Sequence, residues 1–348
     1  MMQISPEIQL FIREHSSDDV RVLALQAKKY PDIDMPTVIT QIAGRKVAAE
    51  KIPSWWEIEK IWYPKHLSLE QCSSEITARY KARLLQGDSL TDLTGGFGID
   101  CSFLATGFKS ATYVERQEEL CEIAAHNFPV LNLNHINIKN EDGVTYLQAM
   151  SPVDCLFLDP ARRNEHGGKT VAISDCEPNV AELEELLLQK ANRVMIKLSP
   201  MLDLSLALKE LKQTQEVHIL SVNNECKELL ILLGQTSPTE ISIHCVNLST
   251  KGTQEEQHFV FTREQEQCSE CTYTDSLETY LYEPNASLLK AGAFRSIAAA
   301  YPVRKLHPNS HLYTSDTFIE NFPGRIFRIV NQCSFNKKEV KENLADLK

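Results

Sequence analysis

The chain has 348 residues, more than one typical domain, with 43% hydrophobic and 24% charged residues, a balance that excludes disordered and fibrous classes. No apolar run approaches the ~18–20 residues that a membrane helix needs. The net charge of −11 argues against nucleic acid but hides an asymmetry: residues 239–284 carry nine acids and two bases, whereas residues 285–348 carry ten bases and five acids. A basic tail on an acidic protein is one footprint of phosphate-backbone binding, a merely solvated surface being the other reading. The ten cysteines are scattered, and Met1-Met2-Gln3-Ile4-Ser5-Pro6 shows no basic and apolar signal segment. Reduced thiols and a cytoplasmic location are therefore expected.

Residues 1–86 read as a helical region. Apolar residues recur at Ile8 and Ile12, then at Val20, Leu23 and Leu25. Asp32-Ile33-Asp34-Met35-Pro36 punctuates the run, and Pro36 suits the first turn of a helix continuing through Ile39, Ile42, Ala43 and Val47. Pro53 interrupts again. All three tryptophans then fall between Trp55 and Trp62. The favoured reading is a packing seam; the other is an aromatic surface for bases.

Residues 87–236 alternate short apolar runs with helical stretches. Strands are expected at Ser89–Leu93, Ala111–Glu115, His135–Ile138, Val153–Leu158, Arg193–Leu198, Val217–Val222 and Leu229–Leu233, with helices at Glu118–Phe128, Asn179–Ala191 and Leu204–Lys212. This pattern predicts an α/β core around a parallel sheet. Only Asn223–Glu228 separates the last two runs, too little for a helical crossover, so that pair is expected to be antiparallel. Residues 237–277 are acidic and strand-like in places, at Glu240–Val246 and His258–Thr262. Residues 278–348 contain a small-residue helix, Ala293–Tyr301, and a polar helical stretch, Asn336–Lys348, inside which the chain stops without a turn signal; relatives are expected to extend further.

Four patterns carry chemistry. The first is Leu90-Thr91-Asp92-Leu93-Thr94-Gly95-Gly96-Phe97-Gly98-Ile99-Asp100, a strand entering a glycine turn before a helix. Glycines let the backbone approach a ligand and take positive φ, and in open parallel sheets such a turn sits at the ligand crevice. The dinucleotide fingerprint fails, because Cys101 stands where its third glycine belongs. The second is Glu115, ending the next strand, where a carboxylate can accept from ribose hydroxyls. The third is Asn140-Glu141-Asp142-Gly143, where Asp142 either accepts from an adenine amine or caps a helix. The fourth is an apolar strand ending in Asp159-Pro160-Ala161-Arg162-Arg163, whose carboxylate and carbonyls can accept from a substrate amine. No metal set is expected: Cys268-Ser269-Glu270-Cys271 has ligand spacing but no second pair, and His307…His311 is interrupted by Pro308.

Together these motifs resemble class I S-adenosylmethionine-dependent methyltransferases. More narrowly, Leu69-Glu70-Gln71-Cys72-Ser73-Ser74-Glu75-Ile76-Thr77-Ala78-Arg79-Tyr80-Lys81-Ala82, Asp92–Asp100, Asp159–Arg163, Lys197-Leu198-Ser199-Pro200 and Glu283-Pro284-Asn285 are similar to the bacterial THUMP-like-domain methyltransferases. The resemblance implies a helical N-terminal region (1–86), a Rossmann-like seven-stranded core (87–236), a small ferredoxin-like segment (237–277) and a THUMP-like domain (278–348). It implies S-adenosyl-L-methionine as cofactor, lined by Asp92, Thr94, Gly95, Gly96, Phe97, Gly98, Asp100, Glu115, Arg116, Asp142 and Gly143. It further implies that Asp159, Pro160, Ala161 and Arg162 face the acceptor, a base of structured RNA (tRNA or rRNA). Base-amino methyltransferases usually carry an aromatic residue where Arg162 stands. Uracil-C5 enzymes need a cysteine after the fifth strand, where Lys197-Leu198-Ser199-Pro200 stands, so N-methylation is favoured over C-methylation. Glu75, Arg79 and Tyr80 read either as a lid or as one face of a packing helix. The alternatives are a non-catalytic cofactor- or RNA-binding protein and an NAD(P)-dependent oxidoreductase.

Overall fold

The computed structural model describes residues 4–162, 172–236, 238–250, 256–334 and 336–344. Nine strands form a mixed sheet: β1 (Ser89–Asp92), β2 (Ser110–Glu115), β3 (Ile136–Asn140), β4 (Val153–Leu158), β5 (Ala191–Leu198), β6 (Thr214–Val222), β7 (Glu225–Gly234), β8 (Ser242–Leu248) and β9 (Glu256–Thr262). Their order is β9-β8-β6-β7-β5-β4-β1-β2-β3. The chain divides into two compact units, residues 1–215 with 230–238 and residues 216–229 with 239–348.

In the first unit β1 pairs in parallel with both β2 and β4, and β2–β3 and β4–β5 are also parallel. From β1 the chain moves outward to β2 and β3; from β4 it moves the other way, to β5. The direction of winding therefore switches between β1 and β4, where an open α/β sheet forms its ligand crevice. The expected helices are present as Glu118–Val130, Val180–Lys190 and Leu204–Glu210.

The N-terminal region is helical, as its periodicity predicts. Asp34 caps Met35–Lys51 with Pro36 in its first turn, and Pro53 opens the short helix Pro53–Trp56. One apolar cluster (Leu23, Met35, Val38 and Ile42) knits these helices together. A second joins Ala48, Ile52, Trp55 and Tyr63 to Phe97 and Ile99 of the glycine turn. Two of the tryptophans are thus a packing seam: Trp55 is buried edge-on to Phe97, and Trp62 stacks on His126 with centroids 3.8 Å apart. Trp56 alone of the three is exposed.

In the second unit the two-residue link Asn223-Asn224, both at positive φ, joins β6 to β7 as a tight hairpin, so these neighbours are antiparallel as expected. Residues 237–277 differ from the expected separate segment. β8 runs parallel to β6 along all of its length and antiparallel to β9, which widens the sheet from seven strands to nine. A small antiparallel sheet follows, built from β10 (Tyr280–Pro284), β11 (Arg304–Lys305), β12 (Tyr313–Ser315) and β13 (Gly324–Arg328) in the order β11-β12-β10-β13. The expected helix Ala293–Tyr301 is present as the shorter Ser296–Ala300, and a further helix, Ala286–Ala291, precedes it and is ended by Gly292 at φ +77°. The polar tail forms Lys337–Leu344, with Asn336 Oδ1 accepting from Glu339 N at 2.9 Å. No described helix is long and apolar enough to cross a membrane.

Candidate active site

The glycine turn leaves the carboxyl end of β1 and is pinned on every side. Gly95 N donates to Val114 O and Gly98 N to Gly95 O, each at 2.9 Å. Gly96 and Gly98 sit at φ +55° and +87°, a region that favours glycine. A Cβ on Gly95 would lie 2.2 Å from the Tyr113 ring, so only glycine lets the turn press onto β2. Tyr113 Oη donates to Gly96 O at 2.5 Å from the far side of that contact. The Phe97 side chain is buried against Trp55. It anchors the turn.

Glu115 and Asp92 frame the turn. Glu115 Oε2 accepts from Gly96 N at 2.9 Å and Oε1 from Gln117 N at 2.8 Å. Asp92 Oδ1 accepts from Thr94 N at 3.0 Å, while its Oδ2 is buried with no hydrogen-bond partner. Burial pushes the Asp92 carboxyl well above the usual carboxylate range; the Thr94 amide opposes this and the nearby charges of Asp100 and Asp159 reinforce it. Thr94 Oγ1 accepts from Asp159 N at 2.6 Å, which stitches the end of β1 to the end of β4.

Asp142 is the N-cap of Gly143–Ala149, its Oδ1 accepting from Val144 N and Thr145 N at 3.0 Å. A Cβ on Gly143 would lie 2.2 Å from Leu93 O. Glycine there lets this helix start against the end of β1 and brings Asp142 to the crevice. Arg116 is exposed, 3.4 Å from the Glu177 carboxylate. Past β4, Pro160 is buried, and Ala161-Arg162 pairs with Cys176-Glu177 as a short antiparallel ribbon. The Arg162 side chain and Arg163 lie outside the described residues.

Asp100 is buried. It is the centre of a buried ion network that the motif reading missed. Lys81, fully buried, places Nζ 2.9 Å from Asp100 Oδ1 and donates to Ser73 Oγ at 2.8 Å. Lys197 Nζ lies 3.1 Å from Asp100 Oδ2, 3.0 Å from Ser73 Oγ and 2.5 Å from Asp159 Oδ2. Ser73 Oγ donates to Asp100 Oδ2 at 2.7 Å. Burial alone would raise the Asp100 carboxyl, but Lys197 and then Lys81 hold it far below its usual range. For Asp159 burial prevails over Lys197, and its carboxyl is raised. The one legible signal was Lys197 itself, an ammonium in the otherwise apolar run Val194–Leu198.

The helix Glu75–Ala82, read as either lid or packing element, is tied down. Glu75 accepts from Ser54 N at 2.8 Å and pairs with Arg79 at 2.7 Å, and Tyr80 is buried.

Comparison with known proteins places this geometry in context. A ferredoxin-like domain family matches residues 280–323, inside the segment expected to be THUMP-like and not at 237–277. No curated protein matches the chain. Among solved structures, the "putative methyltransferase from Porphyromonas gingivalis W83" is 35% identical, with a TM-score of 0.85 over 97% of this chain and 85% of that one. An rRNA methylase from Streptococcus thermophilus and a "putative methyltransferase" from Streptococcus mutans in complex with SAH are each 14% identical with TM-scores of 0.33. They cover 46% of this chain and 93% and 96% of their own.

Proposed function

This chain belongs to the family of the Porphyromonas gingivalis protein, and we propose that it is an S-adenosyl-L-methionine-dependent methyltransferase acting on a base of structured RNA, tRNA or rRNA. The finer assignment to the bacterial THUMP-like-domain methyltransferases is part of the same proposal. The observation that carries it is Asp92 Oδ2, a buried acceptor with no partner at the switch point of the sheet, beside a turn that only glycines can form. A buried acceptor left unmade costs about 1–3 kcal/mol. The α-ammonium of the methionine moiety is the donor that fits it.

The remaining residues fit the rest of the cofactor. Each Glu115 oxygen accepts one backbone N–H and keeps a lone pair for a ribose hydroxyl. Asp142 caps with Oδ1, leaving Oδ2 for an adenine amine. When bound, the cofactor supplies an electrophilic methyl group on its sulfonium. Asp159 then serves the acceptor. Lys197 holds its Oδ2, and the side chain is 36% exposed. It can take a hydrogen bond from an exocyclic amine and keep the nitrogen lone pair in line. No strong base is required, because the proton can leave after transfer. β5 ends in Lys197-Leu198 and runs into Ser199-Pro200, with no cysteine for covalent attack, which supports N- over C-methylation.

Calorimetric titration of the protein with S-adenosylmethionine, its demethylated product and NAD separately tests the pocket. Binding of the first two and not of NAD is expected; the reverse overturns the reading. Loss of a methylated nucleoside from bulk tRNA or rRNA of a deletion strain tests the substrate, and an unchanged nucleoside profile counts against RNA.

A further inference from the structure

We propose that the second unit holds a site for a divalent transition-metal ion of the zinc type, ligated by Glu216, His218 and His244. Strand pairing, not sequence spacing, assembles it. Glu216 and His218 stand two residues apart on β6 and so share a face of the sheet. The parallel register sets His244 of β8 directly opposite His218, and Ser242 opposite Glu216. One ligand atom from each of the three lies within 4.8 Å of the other two. His218 Nε2 and Glu216 Oε2 are 3.3 Å apart, and the His218 and His244 rings stack with centroids 4.3 Å apart. Two imidazoles and a carboxylate form the donor set of open three-ligand zinc sites, where the remaining position goes to water. Ligand atoms about 2.0–2.1 Å from a tetrahedral ion sit ~3.3 Å from one another, so the three, already within 4.8 Å of one another, draw together when the ion binds.

A second layer orients His244. His258 of β9 lies on the same face, opposite Val246. Its Nε2 is 3.1 Å from His244 Nδ1, and its Nδ1 is 4.0 Å from Glu256 Oε1. With a proton on the His258 nitrogen that faces Glu256, His258 Nε2 accepts from His244 Nδ1–H. His244 Nε2 then keeps its lone pair for the ion. This carboxylate–imidazole–imidazole chain is the kind of outer-shell support that fixes a ligand's tautomer. The His218 side chain is 3% exposed and that of Glu216 34%, so the site is anchored inside and reachable from solvent.

The test uses the untagged full chain, stripped with chelator and titrated with Zn²⁺ alone, read by calorimetry and by the melting temperature. One ion per chain and a raised melting temperature are expected. Glu216→Gln should weaken binding at least tenfold, and His258→Gln should weaken it about 10–100-fold through the outer shell. Both side chains are partly exposed, so neither variant opens the core, and unchanged circular dichroism checks this. Joint replacement Cys268→Ser and Cys271→Ser should leave binding unchanged. Absence of binding, binding that survives both glutamine variants, or binding lost with the two cysteines would each overturn the site.

Discussion

Lys197 Nζ lies 2.5 Å from Asp159 Oδ2, joining the end of β5 to the carboxylate that follows β4. The same ammonium reaches Asp100, which in turn holds the buried Lys81. The candidate crevice is therefore braced from both β2 and β5. Glu115 and Tyr113 fix the glycine turn from β2, and the lysine network fixes Asp159 from beneath the helix that the turn begins. A cofactor side and an acceptor side supported separately should respond separately to mutation.

Asp159→Asn should leave affinity for S-adenosylmethionine within a few-fold of wild type yet remove methyl transfer. Its carboxylate contacts Lys197, and only its backbone N–H, which the substitution keeps, reaches Thr94 beside the glycine turn, so the loss should fall on kcat. Turnover at the wild-type rate would mean that this strand end only shapes the fold.

Asp100→Asn should cost about 3 kcal/mol or more in urea unfolding, because it leaves two buried ammonium groups without their shared counter-charge. A change below about 1 kcal/mol would show that water or rearrangement screens Lys81 and Lys197, contrary to their burial.

Asp92→Asn should act on pH dependence and on binding together. Burial raises the Asp92 carboxyl well above the usual carboxylate range, so the folded chain keeps a proton that the unfolded chain releases. That stabilisation is fully present below the unfolded pKa and is lost as pH rises through the raised folded value. The asparagine variant should lose this part of the decline in stability, measured as urea midpoints across the acid-to-neutral range. It should also bind S-adenosylmethionine at least tenfold more weakly, since an asparagine amide cannot give up a proton to become the charged partner of the α-ammonium. Unaltered affinity would remove Asp92 from the pocket.

The legible parts of this molecule are those whose chemistry is local. Gly95-Gly96-Phe97-Gly98 reads as a ligand turn because glycine is needed within a few residues of a strand end, and Glu115 reads as a strand-end acid at the right spacing. Asp142 shows the limit of that local reading: cap and ligand contact predict the same residue, and the cap is what its Oδ1 makes. The lysine network was not legible. Lys81 sits between Tyr80 and Ala82 on a short helix, where a lysine reads as a solvated face, and only tertiary burial of Asp100 and Ser73 turns it inward. The histidines of β6, β8 and β9 were illegible for a similar reason, since register between strands leaves no periodic trace along the chain. Residues 237–277 misled because a strand joining a sheet edge and a strand founding a new domain look the same in sequence.

The basic tail gives the last prediction. Arg304 and Lys305 are not free for phosphate. Arg304 pairs with Glu278, and Lys305 is buried with its Nζ donating to Pro308 O at 2.7 Å and lying 5.7 Å from the Phe294 ring centroid. Lys305→Glu should therefore destabilise the small sheet, since it puts a carboxylate where a buried ammonium was satisfied. The exposed ammonium groups are those of Lys337, Lys338 and Lys341 on the terminal helix. If RNA docks there, joint reversal of the three to glutamate should weaken binding to bulk tRNA and flatten the slope of log affinity against log salt by about two to three units, near one per lost phosphate contact. Affinity for S-adenosylmethionine should not change, since the glycine turn and the residues that pin it belong to the first unit and the terminal helix to the second. A variant with wild-type affinity and slope would show that the terminal helix only solvates the tail, and the search for an RNA surface would move to Phe327 and Arg328 on β13, which are exposed as well.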